Sequence, residues 1–113
     1  MRLSVGIDVV PIERLRVLLA VDGMAGRLFT PAELSRCAAK PDPVRSLAGI
    51  LAAKEATMKA LGLRSLPAWA RRIEVTFGRC GSPSVAVEGM TGETGVSITH
   101  DGGLAIAVTL QSG

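Results

Sequence analysis

The segment from Asp42 to Gly62, DPVRSLAGILAAKEATMKALG, constrains what this chain can fold into more than any other. Leu47, Ile50, Leu51, Met58 and Leu61 fall on one arc of a 3.6-residue period, and Ala48, Ala52, Ala53, Ala56 and Ala60 fill much of the rest. A helix that is apolar nearly all round has to be covered on nearly all sides. This one is therefore expected to be the buried spine of the domain, capped by Asp42 and stopped at Gly62. Lys54 falls inside the apolar arc, Glu55 on its flank, and Lys59 one turn beyond Glu55. On their own these residues read as an i,i+4 Glu–Lys pair contributing ~0.2 to 0.5 kcal/mol, beside a lysine snorkelling to solvent. That reading weakens once the rest of the chain is laid beside it.

Upstream, Leu3, Val5, Ile7 and Val9 alternate with Ser4, Gly6, Asp8 and Val10, giving a strand with one strongly apolar face and Asp8 on the other. Pro11 suits the first position of a helix, and Ile12, Leu15, Leu18 and Leu19 give that helix a core side, ending before Gly23. Thr30-Pro31-Ala32-Glu33 is a capping-box start, which predicts a short helix to about Ala39; Pro41 and Pro43 separate it from the spine. The second half changes character. Residues 72–77, 84–88, 95–100 and 104–110 are short, β-branched and bounded by Gly or Pro, with turns at Gly81-Ser82-Pro83 and Asp101-Gly102-Gly103. A strand, then helices, then strands predicts an α+β domain in which the long helix packs on an antiparallel sheet.

At 113 residues the chain is expected to form one domain, residues 1–113. Its mean hydropathy of +0.38 is apolar for so small a chain, consistent either with an Ala- and Val-rich core or with surface covered by sister subunits. The longest apolar run, Val17 to Val21, falls far short of the ~20 residues that span a bilayer, and Asp8 and Glu13 stand where a signal peptide is apolar, so a cytoplasmic location is expected. Cys37 and Cys80 lack any paired spacing and are expected to be reduced, buried thiols. The net charge of +3 favours acidic or phosphorylated partners. With only Trp69, Phe29 and Phe77 aromatic, the chain offers few platforms for stacking bases, which argues against a nucleic-acid-binding module.

Four segments, in order and spacing, carry a resemblance: Gly6-Ile7-Asp8-Val9-Val10 with Ile12-Glu13-Arg14; Leu28-Phe29-Thr30 with Glu33; Ala53-Lys54-Glu55-Ala56 with Lys59-Ala60-Leu61-Gly62; and Ser97-Ile98-Thr99-His100. Together they resemble the holo-[acyl-carrier-protein] synthases, the small phosphopantetheinyl transferases. The resemblance implies a homotrimer with active sites between subunits. It also implies magnesium-dependent transfer of 4′-phosphopantetheine from coenzyme A to a serine of an apo acyl carrier protein, in fatty acid or polyketide biosynthesis. Carried over, Asp8 and Glu55 are the Mg2+ ligands, sharing the ion with phosphate oxygens and water as magnesium prefers. Asp8, Glu55 and Lys59 form the catalytic set, and Lys54, Lys59, Gly62, Arg64, Ser97 and His100 the coenzyme A site. Arg14 and Arg16, on the first helix, would meet the acidic carrier protein.

Each residue has a plainer reading. Asp8 is placed to cap the helix that begins at Pro11, His100 to be a half-buried, hydrogen-bonded imidazole beside Val96 and Ile98, and Arg14 and Arg16 to be solvated. Magnitude favours a metal if the two acids meet: carboxylates ~4 Å apart repel by about 4 kcal/mol at an effective dielectric near 20, raising one pKa unless a cation intervenes. The base that takes the serine proton is left open between a metal-held water and Asp8. Three positions depart from the family: Ile50-Leu51 where Arg-Phe is usual, Leu63-Arg64-Ser65 where a glycine tends to follow Gly62, and Leu104 where Tyr is common. They frame the alternative of a catalytically impaired module that binds coenzyme A or a carrier protein.

Overall fold

The computed structural model describes residues 2–112. The chain runs β1 (Leu3–Pro11), α1 (Ile12–Leu19), α2 (Met24–Leu28), α3 (Pro31–Ala38), α4 (Pro43–Leu61), α5 (Leu66–Trp69), β2 (Ile73–Phe77), β3 (Pro83–Val87), β4 (Glu93–Asp101) and β5 (Leu104–Ser112). Strands β1, β5 and β4 form an antiparallel sheet in that order, and β2–β3 form a separate hairpin. The expected α+β architecture, a long helix laid on antiparallel strands, is the one observed. No helix of the described residues is long and apolar enough to cross a membrane.

Helix α4 is the spine. Every residue from Leu47 to Lys54 is buried, as are Ala56, Thr57, Met58 and Ala60. Asp42 accepts the amide of Arg45 at its start and Gly62, at φ 69°, closes its end. It reaches β1 with almost no side chain between: a Cβ on Gly6 would fall onto the Ala56 carbonyl oxygen and within 2.8 Å of the Ala60 nitrogen. Helix α3 begins at the capping box, with Thr30 and Glu33 exchanging both bonds.

Three expectations change here. Pro11 ends β1 and forms the N-cap of α1 instead of its first turn. Helices α2 and α5 were not anticipated: five and four residues are too few to show a period, and tertiary contacts hold them. Cys37 is buried, where desolvation pushes its thiol pKa up, whereas Cys80 is exposed on the β2–β3 turn. The apolar face of β1 is also turned away from the core. Leu3, Val5, Ile7 and Val9 remain 59%, 61%, 56% and 44% exposed, while Gly6 and Val10 face α4.

Candidate active site

Close packing at Gly6 brings the next inward residue of β1, Asp8, beneath the flank of α4. A cavity of about 410 Å3 opens there, lined by Asp8, Val9, Arg14, Glu55, Met58, Lys59, Leu63, Arg64, Ser65 and Leu66. Lys59 anchors Asp8: its ammonium donates to Asp8 Oδ1 at 2.8 Å and to the Ile7 carbonyl at 3.0 Å. The i,i+4 pairing of Lys59 with Glu55 thus gives way to a partner 51 residues distant. The capping role for Asp8 is not realised either, since the Pro11 N-cap of α1 has no side-chain hydrogen bond.

The other oxygen, Asp8 Oδ2, is buried and finds no hydrogen-bond partner among the described residues. Beside it, Glu55 has its pKa pushed up from 4.5 to about 8, chiefly by burial and then by the neighbouring Asp8 carboxylate; Lys59 and Arg14 pull the other way. A carboxyl raised that far keeps its proton at neutral pH, and a divalent cation would take that proton's place. An orphaned carboxylate oxygen, a second carboxylate and an open, cation-lined cavity are a donor set suited to a hard ion that keeps most of its sites for other oxygens.

Other expected site residues lie elsewhere. Lys54 is fully buried, and its placement at the coenzyme A site is corrected: its ammonium sits 2.6 Å from Glu33 Oε1 and donates to the carbonyls of Leu28 and Ala70. Burial lowers its pKa, opposed by Glu33. Glu33 in turn accepts the amides of Thr30 and Val75, so the buried pair is saturated. Gly62 is the C-cap of α4, between Lys59 and the cavity-lining Leu63. Arg64 lines the cavity. Arg14 does too, whereas Arg16 pairs with Glu13 on exposed surface.

His100 is remote from Glu55. Its Nε2 donates to the Arg45 carbonyl at 3.0 Å, near the start of α4, and a Cβ on Gly49 would meet that nitrogen at 3.0 Å. It lines a second cavity, about 320 Å3, with Arg36, Lys40, Ser46 and Gly49. Ser97, one strand alternation away, sits on the opposite, outer face of the sheet in the row of Val108 and Ile7. In one chain, then, Ser97 and His100 share no wall with Asp8 and Glu55.

Sequence reasoning passed over Leu63, Ser65 and Leu66 as cavity residues. Ser65 left a structural trace only: at φ 73° it is the sole non-glycine of positive φ among the described residues, and its side chain makes no cap bond to α5. Such a conformation costs ~1 to 2 kcal/mol.

Comparison with known proteins identifies the family and the fold. The profile of the 4′-phosphopantetheinyl transferase superfamily matches residues 4–109. The holo-[acyl-carrier-protein] synthase of Chlorobaculum tepidum is 40% identical over 114 residues, spanning 96% of this chain and 97% of that protein. Among solved structures, the coenzyme A complex of the synthase from Chronobacterium ammoniagenes superposes with a TM-score of 0.83 at 27% identity, over 98% of this chain and 97% of that one. The Bacillus anthracis synthase, in complex with CoA (3′,5′-ADP), gives 0.84 at 26% identity, over 96% and 94%. A profile match over residues 4–109 and a relative 40% identical over 96% of this chain place it in the 4′-phosphopantetheinyl transferase superfamily, among the holo-[acyl-carrier-protein] synthases.

Proposed function

We propose that the chain transfers the 4′-phosphopantetheine of coenzyme A to a serine of an apo acyl carrier protein, with Asp8 and Glu55 holding a Mg2+ ion and three chains forming the working unit. In this reaction the serine oxygen bonds to the β-phosphorus, the bond to the bridging oxygen of the diphosphate breaks, and adenosine 3′,5′-bisphosphate leaves. When bound, the ion would neutralise charge on the diphosphate as that bond breaks. Lys59 spends two of its three N–H donors on Ile7 and Asp8, which leaves one for a phosphate oxygen. Arg64 and Arg14 add cationic wall to the same cavity, and Asp8 is the chain's own candidate for accepting the serine proton.

The observation that carries this reading is Asp8 Oδ2, a buried carboxylate oxygen without a donor, beside a second carboxylate. The trimer is supported by the outer sheet face, where Leu3, Val5, Ile7, Val9 and Leu110 are exposed side by side. Apolar patches of that kind mark interfaces. Ser97 lies on that face, and the His100 cavity is separate from the carboxylates. A neighbour is therefore needed to bring both parts of the proposed coenzyme A site together.

The test is mass spectrometry of an apo carrier protein incubated with the chain, coenzyme A and magnesium. One added phosphopantetheinyl group is expected, lost in Asp8→Asn and Glu55→Gln variants that keep the wild-type circular dichroism. Transfer retained by both variants would remove the carboxylates from the mechanism.

A further inference from the structure

The buried Lys54 ammonium does more than fill the core: it grips the Leu28 carbonyl at 3.0 Å and the Ala70 carbonyl at 2.5 Å. One nitrogen thereby pins the end of α2 to the residue that follows α5. Each pinned carbonyl has an exposed arginine next to it, Arg27 before Leu28 and Arg71 after Ala70. Arg71 also donates across the seam to the Gly26 carbonyl at 3.3 Å. From this corner the chain leads back through α5 to Arg64, which lines the mouth of the Asp8–Glu55 cavity.

None of Arg27, Arg64 and Arg71 forms an ion pair among the described residues. The nearest acid in sequence on the α2 side is Asp22, before Gly23. On the other side stand Glu74, half-buried on β2, and the exposed Glu88, neither of which forms an ion pair with these arginines among the described residues, and the Arg72 guanidinium stacks on Trp69. The corner is thus a cationic surface on a backbone that Lys54 fixes, so little backbone ordering is left for a partner to impose.

We propose that the α2–α5 corner, carrying Arg27 and Arg71, is a docking surface for the acidic carrier domain, in addition to the arginines of α1. This rests on the transferase reading above, which supplies the partner and its charge. Paired charges at an exposed rim set encounter and affinity more than chemistry. Lys54 then acts at a distance, as the residue that joins the two backbone segments bearing the arginines.

Steady-state transfer by the full chain tests this with the double variant R27E/R71E. The KM for the carrier should rise about tenfold or more, while kcat at saturating carrier and the KM for coenzyme A stay within twofold. R27K/R71K keeps the charges but loses the guanidinium geometry, and should retain the wild-type carrier KM. R79E, on the β2–β3 turn, should leave it unchanged. A carrier KM unmoved in R27E/R71E overturns the proposal. So does an equal rise in R27K/R71K, which would assign the effect to the Gly26 bond, and so does a matching rise in the KM for coenzyme A. If the wild-type chain transfers nothing, the transferase reading falls by itself; calorimetry of apo carrier against wild type and R27E/R71E then decides the corner, equal affinities refuting it.

Discussion

Replacing Gly6 by alanine should be among the most damaging single-methyl changes available to this protein. The added Cβ would coincide with the Ala56 carbonyl oxygen and lie 2.8 Å from the Ala60 nitrogen and 2.9 Å from the Ala56 carbonyl carbon. All three are backbone atoms of α4, so no rotamer change relieves the overlap. Restoring an ordinary contact of ~3.5 Å with the overlapped carbonyl oxygen requires α4 to retreat from β1 by roughly 1.5 to 2 Å. Overpacking against movable side chains costs about 1 to 3 kcal/mol, and here the upper end or more is expected, out of a total stability on the order of 5 to 15 kcal/mol. The same retreat separates Lys59 and Glu55, carried by the helix, from Asp8, carried by the strand. A displacement of ~1 Å at a reacting centre can cost about 10²-fold in rate. Urea unfolding and the transfer assay, run on the same Gly6→Ala preparation, should show a lower midpoint together with that loss of kcat. Wild-type stability and rate in Gly6→Ala would refute the claim that direct backbone contact between α4 and β1 places the two carboxylates.

Two further outcomes follow from the buried charges. Because the Glu55 carboxyl is raised from 4.5 to about 8 in the fold, it stabilises the metal-free chain fully below pH ~4.5, and that contribution is lost as pH rises toward 8; thermal melts in chelator should show a decline over this window, flattened in Glu55→Gln, and an unchanged slope would dismiss the raised pKa. Lys54→Met removes the cation paired with Glu33 and should cost about 3 to 5 kcal/mol, whereas the paired K54M/E33Q change should recover a large part of it; equal midpoints for Lys54→Met and wild type in urea would contradict a paired, buried ammonium.

Where order in the chain is enforced locally, the sequence was readable. Thr30 and Glu33 are three residues apart and cap each other, and Asp42 and Gly62 bracket one continuous apolar helix. The hairpin turn at Asp101-Gly102-Gly103 sits between two β-branched runs whose register it sets. What could not be read depends on partners distant in sequence. Lys54 looks like a ligand-binding lysine until Glu33, 21 residues earlier, folds onto it. Lys59 looks paired with Glu55 until Asp8 arrives from β1. The alternation of β1 identifies two faces correctly, but only the packing of Gly6 against α4 shows that the glycine-bearing face is the inner one. That face also carries Asp8, which is why the convergence of Asp8 and Glu55 follows from fold and not from spacing.

The central claim is that these two carboxylates chelate one divalent cation. Titrating Mn2+ into the chain with coenzyme A present, followed by electron paramagnetic resonance of the free ion, measures this directly. One site per chain is predicted for the wild type, with at least tenfold weaker binding in both Asp8→Asn and Glu55→Gln. Unchanged stoichiometry and affinity in both variants would contradict it.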